Sequence, residues 1–600
     1  MDVKNPIEPF TNPVSYHIWD IKYRHREHGQ CMDQTIDDTW TRVAHALASV
    51  EAPTVQESWS RRFKEAMLDF RFLPGGRILA GAGTRHRVTL FNCFVMGLIP
   101  DSLDGIFNSL KEGSITLQEG GGVGYDFSTL RPAGAHARST GNVASGPVSF
   151  MRIWDAAADT IQSQGQRRGA MMATLRCDHP DIQTFIHAKH HTRGLNHFNL
   201  SVQITDEFMQ ALERDDAWQL VFPAETYADA TTGQFGTVTR TWPGYPHPVR
   251  CRVVKSISAR QLWHEIAEAA TDCGDPGLLF IDRINRENNL WYEEHISATN
   301  PCGEVPLPPY GACNLGSFNL AAFVRDPFSS SAGFDFDTFE SLIPTVTRML
   351  DNAIDVSRFP LPAQAERERR SRRLGLGVCG FADALIMLGL NYAEAGAREF
   401  ATRIFTVLRD KAYLASVELA GERGAFPAFD AGRYMISGYA SRLPAAIRNA
   451  ISGHGIRNSH LLAVAPTGTI SLLANNLSSG IEPVFDFRVQ RRIAESAGTT
   501  EYQMTDYAAF RWHQLHGEAS LPSCFNANAD IAPLQQLAML AAVQPLVDNA
   551  ISKTINLAAT ATASDVALLF EQAFQMGLKG CTVFRRDQRR AVIQSSSLPA

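Results

Sequence analysis

Five consecutive residues, Asn300-Pro301-Cys302-Gly303-Glu304, set an amide, a thiol and a carboxylate two positions apart. In an extended segment, side chains at i, i+2 and i+4 point to one face. Asn300, Cys302 and Glu304 are therefore expected to share a face, with Pro301 restricting the backbone before the thiol and Gly303 removing bulk after it. A carboxylate beside a thiol raises the thiol pKa. The spacing thus disfavours a thiolate nucleophile and favours a thiol that gives up a hydrogen atom. Glu304 suits proton exchange with a substrate, and Asn300 suits hydrogen-bonded orientation. A second thiol, Cys313, follows the turn-rich linker Pro306–Tyr310. The pattern outlines redox or radical chemistry.

Six hundred residues exceed one simple core and point to two or more domains, or one large α/β body with appendages. The composition is that of a globular protein, 44% hydrophobic and 20% charged. A net charge of -6 gives no electrostatic footprint for nucleic acid or a membrane surface. No apolar run approaches the ~20 residues of a membrane helix, and the first residues, Met1-Asp2-Val3-Lys4-Asn5, do not read as a secretory signal. The ten cysteines are scattered, without Cys-x-x-Cys or a disulfide framework. This fits a reducing, cytoplasmic setting and offers no zinc motif.

These thiols need a scaffold to position them. Residues 1–76 are expected to form an N-terminal helical domain, since Thr35–Ala48 and Val55–Leu73 carry apolar residues at helical spacing and Leu73-Pro74-Gly75-Gly76 ends the block. Beyond Arg77 the texture changes. Val88–Met96 reads as a buried strand, Asp101-Ser102-Leu103 opens a capped helix, and the glycine cluster Glu119–Gly124 is expected to break the next helix. Strands are expected at Phe198–Ile204, Gly277–Ile281 and Leu461–Ala465, with long helices at Phe339–Val356 and Tyr392–Arg423. Such alternation argues an α/β fold. Residues 223–250 read as an excursion or hairpin. Glu366–Arg373 reads as a solvated charged face rather than a polyanion contact.

A free cysteine is often only a small buried hydrophobe. That plain reading covers Cys93 on its local sequence, and Cys177, Cys251, Cys273 and Cys524 as well. Pro466-Thr467-Gly468-Thr469-Ile470-Ser471 follows an apolar strand and offers hydroxyls and backbone N–H groups to an anion, or is a simple N-cap turn. The lysine of a Walker motif is missing, and Gly120–Gly124 does not spell a dinucleotide fingerprint.

Asn300–Glu304 with Ala312–Leu315 and Ser317–Leu320 resembles the active-site loop of ribonucleotide reductases. So do Phe72–Thr84 before Cys93, Gly120–Pro132, Arg167–Ala170 with Asp178–Ile182, Arg373–Gly377, and Ala465–Ser471 with Ser479–Pro483. The likeness runs in order from about residue 15 to 587 and is strongest to the adenosylcobalamin-dependent, class II enzymes of dimeric type.

The resemblance implies a ten-stranded α/β barrel of the ribonucleotide reductase and glycyl-radical enzyme type, with two five-stranded halves and the thiyl cysteine on an inner finger loop. The barrel and effector site would occupy residues 77–590, followed by a short tail at 591–600. It implies that Cys302 becomes a thiyl radical taking the ribose 3′ hydrogen, that Glu304 takes the 3′-hydroxyl proton, and that Asn300 binds a substrate hydroxyl. Cys93 and Cys313 would be the reducing dithiol that closes to a disulfide. Thr467, Gly468, Thr469, Ile470 and Ser471 would hold substrate phosphates. Asp101, Ser102 and Leu103, with segments 139–146 and 193–199 including Arg193 and Asn196, would bind a deoxynucleotide or ATP effector.

The expected substrate is a ribonucleoside diphosphate and the expected assembly a homodimer. A class I large subunit would carry a tyrosine pair near its C-terminus, where Gly580–Arg585 has none; an anaerobic enzyme would carry a glycyl-radical motif and a cysteine-rich metal site, also absent from the sequence. Adenosylcobalamin is the remaining radical source. The last residues lack the cysteine pair of many relatives, so re-reduction is expected from a thioredoxin-like reductant or a separate tail-bearing chain. The alternatives are a class I-type large subunit needing a metalloprotein partner, or an inactive nucleotide-binding paralogue.

Overall fold

The computed structural model describes residues 9–135, 143–161, 169–190, 194–227, 236–495, 498–585 and 593–595. The expected tail at 591–600 lies outside the described residues apart from 593–595.

Three helices open the chain: α1 (Pro13–Lys22), α2 (Ile36–Ala48) and α3 (Gln56–Met67). Asn12 caps α1, and Thr35 and Asp38 form a capping box on α2. The apolar faces of α2 and α3, with Trp40, Val43, Leu47, Phe63 and Met67 buried, pack on each other and on the later helix Phe336–Val356. Glu51, just after α2, accepts two bonds of 2.8 Å from Arg348 and one of 2.8 Å from Asn352, both on that helix. Burial pushes the Glu51 carboxyl up, but these donors and Arg423 outweigh it and hold its pKa at about 2. The helix expected to reach Leu73 stops at Met67. Asp69 and Phe70 turn the chain with positive φ, and β1 (Phe72–Pro74) follows as an extended run, the conformation favoured before proline.

The strands that matter are β2 (Cys93–Val95), β3 (Gly122–Asp126), β4 (Met171–Arg176), β5 (Phe198–Ile204) and β6 (Gly277–Phe280), which pair in parallel in that order. A short hairpin, β7 (Ala298–Thr299) and β8 (Pro306–Leu307), comes next, then β9 (Ala312–Asn319), β10 (Leu374–Cys379), β11 (Thr554–Leu557) and β12 (Gly580–Arg585). β9 runs antiparallel to β2 and parallel to β10, while β12 runs antiparallel to β6 and parallel to β11. Parallel bridges Leu376–Leu462 and Val464–Ile551 carry β10 through residues 461–465 to the segment entering β11. Two sets of five strands, antiparallel where they meet, thus close a barrel. β1 pairs outside this circuit with β9.

Alternation along the strands decides what faces the lumen. Cys93, Val95, Cys313, Leu315, Ala463 and Ala465 form a small apolar cluster with Ala298, Val305 and Leu307 of the hairpin, separate from the main core that receives Phe94 and Phe318. The hairpin therefore sits inside the barrel.

The glycine cluster ends the helix Leu103–Gln118 as expected, with Gly120 at φ +99°, and its last glycines, Gly122 and Gly124, belong to β3. A Cβ on Gly124 would lie 1.9 Å from the carbonyl oxygen of Thr299, and one on Gly122 would lie 3.1 Å from the Pro301 ring. The strand lacks side chains at Gly122 and Gly124, where the hairpin lies on it.

The charged run 366–373 also departs from the solvated reading. Glu368, Arg372 and Arg373 are buried, with Arg372 paired to Asp351 and Asp355 and Arg373 to Glu294. The run ends a helix (Pro362–Ser371) that packs on β9, so one of its faces is interior. Residues 217–223, 237–240 and 249–258 form a separate three-stranded antiparallel sheet, as an excursion should. Among the described residues no helix is long and apolar enough to cross a membrane.

Gly124→Ala forces the hairpin off its seat. It should cost about 1–3 kcal/mol in thermal or denaturant unfolding, the usual range for overpacking. Gly453→Ala, in a helix with open space around its Cα, should be neutral or mildly stabilising. Equal responses would contradict the seating.

Candidate active site

The pentapeptide is the tip of the β7–β8 hairpin, not an extended strand. Asn300 N donates to Val305 O at 3.4 Å, and Gly303 N donates back to Asn300 O at 3.1 Å, closing a four-residue turn. Asn, Pro and Gly occupy the first, second and fourth positions, the preferences of a type I turn. Gly303 has φ +86°. The expected shared face is thereby split. Cys302 is exposed at the tip, while Asn300 and Glu304 are buried at the base.

The base converges on Cys93. Asn300 Nδ2 donates to Cys93 Sγ at 3.1 Å, and Cys93 Sγ donates to Glu304 Oε1 at 3.6 Å. Asn300 Oδ1 accepts from Val305 N at 3.0 Å and Thr299 Oγ1 at 3.1 Å, which fixes the amide with its NH2 toward sulfur. Cys93 is the direct cross-strand partner of Cys313. Opposed residues of an antiparallel pair have Cα atoms about 4.5–5.5 Å apart, inside the range a disulfide spans.

Burial pushes the Cys93 thiol well above its ordinary pKa, and Glu304, Cys313 and Cys302 add to the shift. Burial also raises Cys313, with Glu368 adding to it and Arg373 opposing. Both thiols are protonated at neutral pH and stand as hydrogen donors.

The loop is held by the barrel wall, since buried carbonyls require partners. Ser297 O accepts from Thr174 Oγ1 at 3.0 Å and Gln203 Nε2 at 2.7 Å; Pro301 O accepts from Asn199 Nδ2 at 2.7 Å. Glu304 O accepts from Ala550 N at 2.9 Å, and Pro306 O accepts from Arg373 Nη1 at 3.1 Å. The sequence reading missed these donors as wall residues. The strict apolar–polar alternation of Phe198–Ile204, which places Asn199, Ser201 and Gln203 on one face, carried the signal for two of them. Arg373 gave none, because its partner Glu294 is far away in sequence.

Cys302 opens onto a cavity of about 660 Å³. Gly468 and Ser471 line it, and the short helix Gly468–Leu473 starts at its edge. The other expected phosphate residues differ. Thr467 spends its hydroxyl on Ser471 Oγ at 2.7 Å and on Gly480 N at 3.0 Å, and Ile470 is buried in the core. Thr469 is half-buried. The usable donors are therefore the backbone N–H groups of the turn rather than the Thr467 side chain.

The expected effector residues are dispersed. Asp101 takes Arg131 Nε at 2.7 Å and lines a separate pocket of about 390 Å³ with Trp242 and Tyr245. Ser102 caps the helix Leu103–Gln118 through Gly105 N at 3.1 Å, and Leu103 is exposed. Asn196 lines the large cavity with Cys302 instead. Arg193 and residues 136–142 lie outside the described residues.

The chain matches the ribonucleotide reductase barrel domain over residues 91–584 and the ribonucleotide reductase all-alpha domain over residues 10–87. It is similar to the vitamin B12-dependent ribonucleoside-diphosphate reductase of Mycobacterium tuberculosis, 39% identical over 598 residues, covering 96% of this chain and 79% of the relative. The enzyme of the same name from Thermoplasma acidophilum is 36% identical over 550 residues, covering 88% of this chain and 65% of the relative. The vitamin B12-dependent ribonucleotide reductase of Streptomyces avermitilis is 28% identical, covering 93% and 62%. With a barrel of two five-stranded halves, an inner hairpin bearing Cys302 and a facing cysteine pair, the chain belongs to the ribonucleotide reductase family.

Proposed function

We propose that this chain is an adenosylcobalamin-dependent ribonucleoside-diphosphate reductase that converts ribonucleotides to 2′-deoxyribonucleotides. The observation that carries this reading is one exposed thiol, Cys302, that opens onto a large cavity from the tip of a hairpin whose base, through Asn300 and Glu304, meets two buried thiols, Cys93 and Cys313, on opposed strands. The names of the Mycobacterium tuberculosis and Thermoplasma acidophilum relatives support the substrate and the cofactor.

Adenosylcobalamin, when bound, would supply the radical chemistry, and Cys302 is the residue that would give up its thiol hydrogen atom to it. The site fits such a group: the thiol is solvent-accessible, and Leu472, Leu477, Pro483, Val484 and Phe485 give the same cavity an apolar wall that would hold it. The Gly580–Arg585 strand presents Phe584, not tyrosine, to this cavity. A phenyl ring has no phenolic hydrogen with which to relay a radical from a partner subunit.

The protein's own groups then act in order. The Cys302 sulfur takes the ribose 3′ hydrogen, and Glu304 accepts the 3′-hydroxyl proton. The 2′ hydroxyl leaves as water with a proton from the Cys93–Cys313 dithiol. That pair supplies two electrons and two protons in all and closes to a disulfide, after which Glu304 returns its proton to the 3′ oxygen and Cys302 returns the 3′ hydrogen. The backbone of Gly468–Ser471 holds the phosphates. A thioredoxin-like dithiol protein reopens the disulfide. A deoxynucleotide or ATP effector binds around Asp101, Ser102, Leu103 and Arg193, in a cytoplasmic homodimer. Leu103, Phe107 and Ile153, on the packed helices Leu103–Gln118 and Pro147–Thr160, are 64%, 50% and 37% exposed and offer the apolar surface for a second copy.

Pre-reduced protein given adenosylcobalamin and a ribonucleoside diphosphate without external reductant should form about one deoxynucleotide per chain. Peptide mapping should then find a Cys93–Cys313 disulfide with Cys302 still alkylatable. Cys302→Ser should bind nucleotide and make no product. Turnover without the cofactor, or a disulfide involving Cys302, would contradict the assignment.

Phe107→Glu should convert the protein to monomers in light scattering and abolish its response to effector, while leaving basal turnover. A persistent dimer would place the interface elsewhere.

A further inference from the structure

We infer that Asn199, with the Lys189–Asp275 ion pair that flanks it, forms a clamp that positions Cys302. None of the three needs to touch substrate for this role; they act through the turn that carries the thiol.

The geometry is direct. Asn199 Nδ2 donates to the carbonyl oxygen of Pro301, the residue immediately before Cys302, at 2.7 Å. The other hairpin carbonyls taken by the wall belong to Ser297, Glu304 and Pro306, at or below the base of the turn. The Asn199 bond reaches the tip. A turn closed by one bond between Asn300 and Gly303 and containing a positive-φ glycine can pivot about its base. A donor at Pro301 O removes that freedom at the peptide leading into the thiol.

Asn199 is itself fixed from both sides. Lys189 Nζ bonds the carbonyl of Phe198, the preceding residue, and the Asp275 carboxylate at 2.6 Å. Asp275 Oδ1 accepts from the N–H of Leu200, the following residue, at 3.0 Å. The Lys189 side chain is 2% exposed and that of Asp275 16%. An ion pair so enclosed is screened little by solvent, and removing one partner leaves the other uncompensated. It grips the two peptide groups on either side of Asn199 and so sets where the amide points. Lys189, Asn199, Asp275, Pro301 and Cys302 all line the cavity of about 660 Å³, so a shift in the clamp moves the thiol relative to whatever occupies it.

The inference rests on Cys302 being the reacting thiol, so the test has one arm that needs no turnover. Cys302 is the exposed cysteine among the ten, and its alkylation by iodoacetamide can be followed by mass spectrometry on nucleotide-free protein. Asn199→Asp keeps the side-chain shape but loses the donor; Asn199→Ala loses both. Both variants should lower kcat on the order of 10- to 100-fold, the cost of a reacting group misplaced by about an ångström, with KM for nucleotide within about 2-fold. Both should also change the Cys302 alkylation rate by about 3-fold or more, with the thermal midpoint near that of the wild type. Asn199→Asp being as damaging as Asn199→Ala separates a lost donor from lost packing. Full kcat in Asn199→Asp, or a fall in kcat with an unchanged alkylation rate, would overturn the clamp. If the wild-type protein makes no deoxynucleotide, the proposed function falls, and the alkylation arm still decides whether Asn199 sets the thiol.

Discussion

The site depends on a contact between two pieces of backbone. The Thr299 carbonyl lies against the Cα of Gly124, where any side chain would intrude to 1.9 Å. A loop inside a barrel is ordinarily costly, because its polar backbone loses water and must find partners. Here the strand beneath it is bare at Gly122 and Gly124, so the hairpin can approach closely enough for the wall to supply those partners. Thr174, Gln203, Asn199, Ala550 and Arg373 each donate to a carbonyl of the hairpin or of the residue leading into it. The position of Cys302 is a consequence of that seating.

Burial then sorts the thiols by chemistry. Cys302 projects from the tip toward the open cavity, while Cys93 and Cys313 face each other on opposed strands within the lumen. Low polarity and the neighbouring Glu304 and Glu368 disfavour thiolate at both buried positions. A nucleophilic cysteine would call for the opposite surroundings, a nearby cation or a helix N-terminus. The arrangement instead suits hydrogen-atom exchange at one sulfur and delivery of two electrons and two protons from the other two.

Much of this was legible in the chain itself. Alternating strand and helix signals gave the α/β class, and Asn300, Cys302 and Glu304 stood out by type and spacing. Their geometry was misjudged because a period of two was applied to a segment whose Pro301 and Gly303 specify a turn. The glycines at 120–124 read locally as a helix break, which Gly120 supplies with its positive φ; the reason for Gly122 and Gly124 is a hairpin almost 180 residues away in sequence, and no local pattern reveals a partner at that distance. The buried Arg372 and Arg373 were hidden for the same reason, since a charge run looks solvated until Asp351, Asp355 and Glu294 are brought to it. Cys93 acquires meaning only through the register that sets it opposite Cys313. The split of Asn196 from Asp101 into different cavities likewise belongs to tertiary structure.

Whether unpaired spin reaches the Cys302 sulfur is the question closest to the centre. Rapid-freeze electron paramagnetic resonance on protein mixed with adenosylcobalamin, a ribonucleoside diphosphate and a deoxynucleotide would answer it. A cysteine-borne radical is expected, with a signal that narrows when the protein carries β-deuterated cysteine and disappears in Cys302→Ser. A protein radical indifferent to cysteine labelling, or one that persists in Cys302→Ser, would contradict the role assigned to this hairpin.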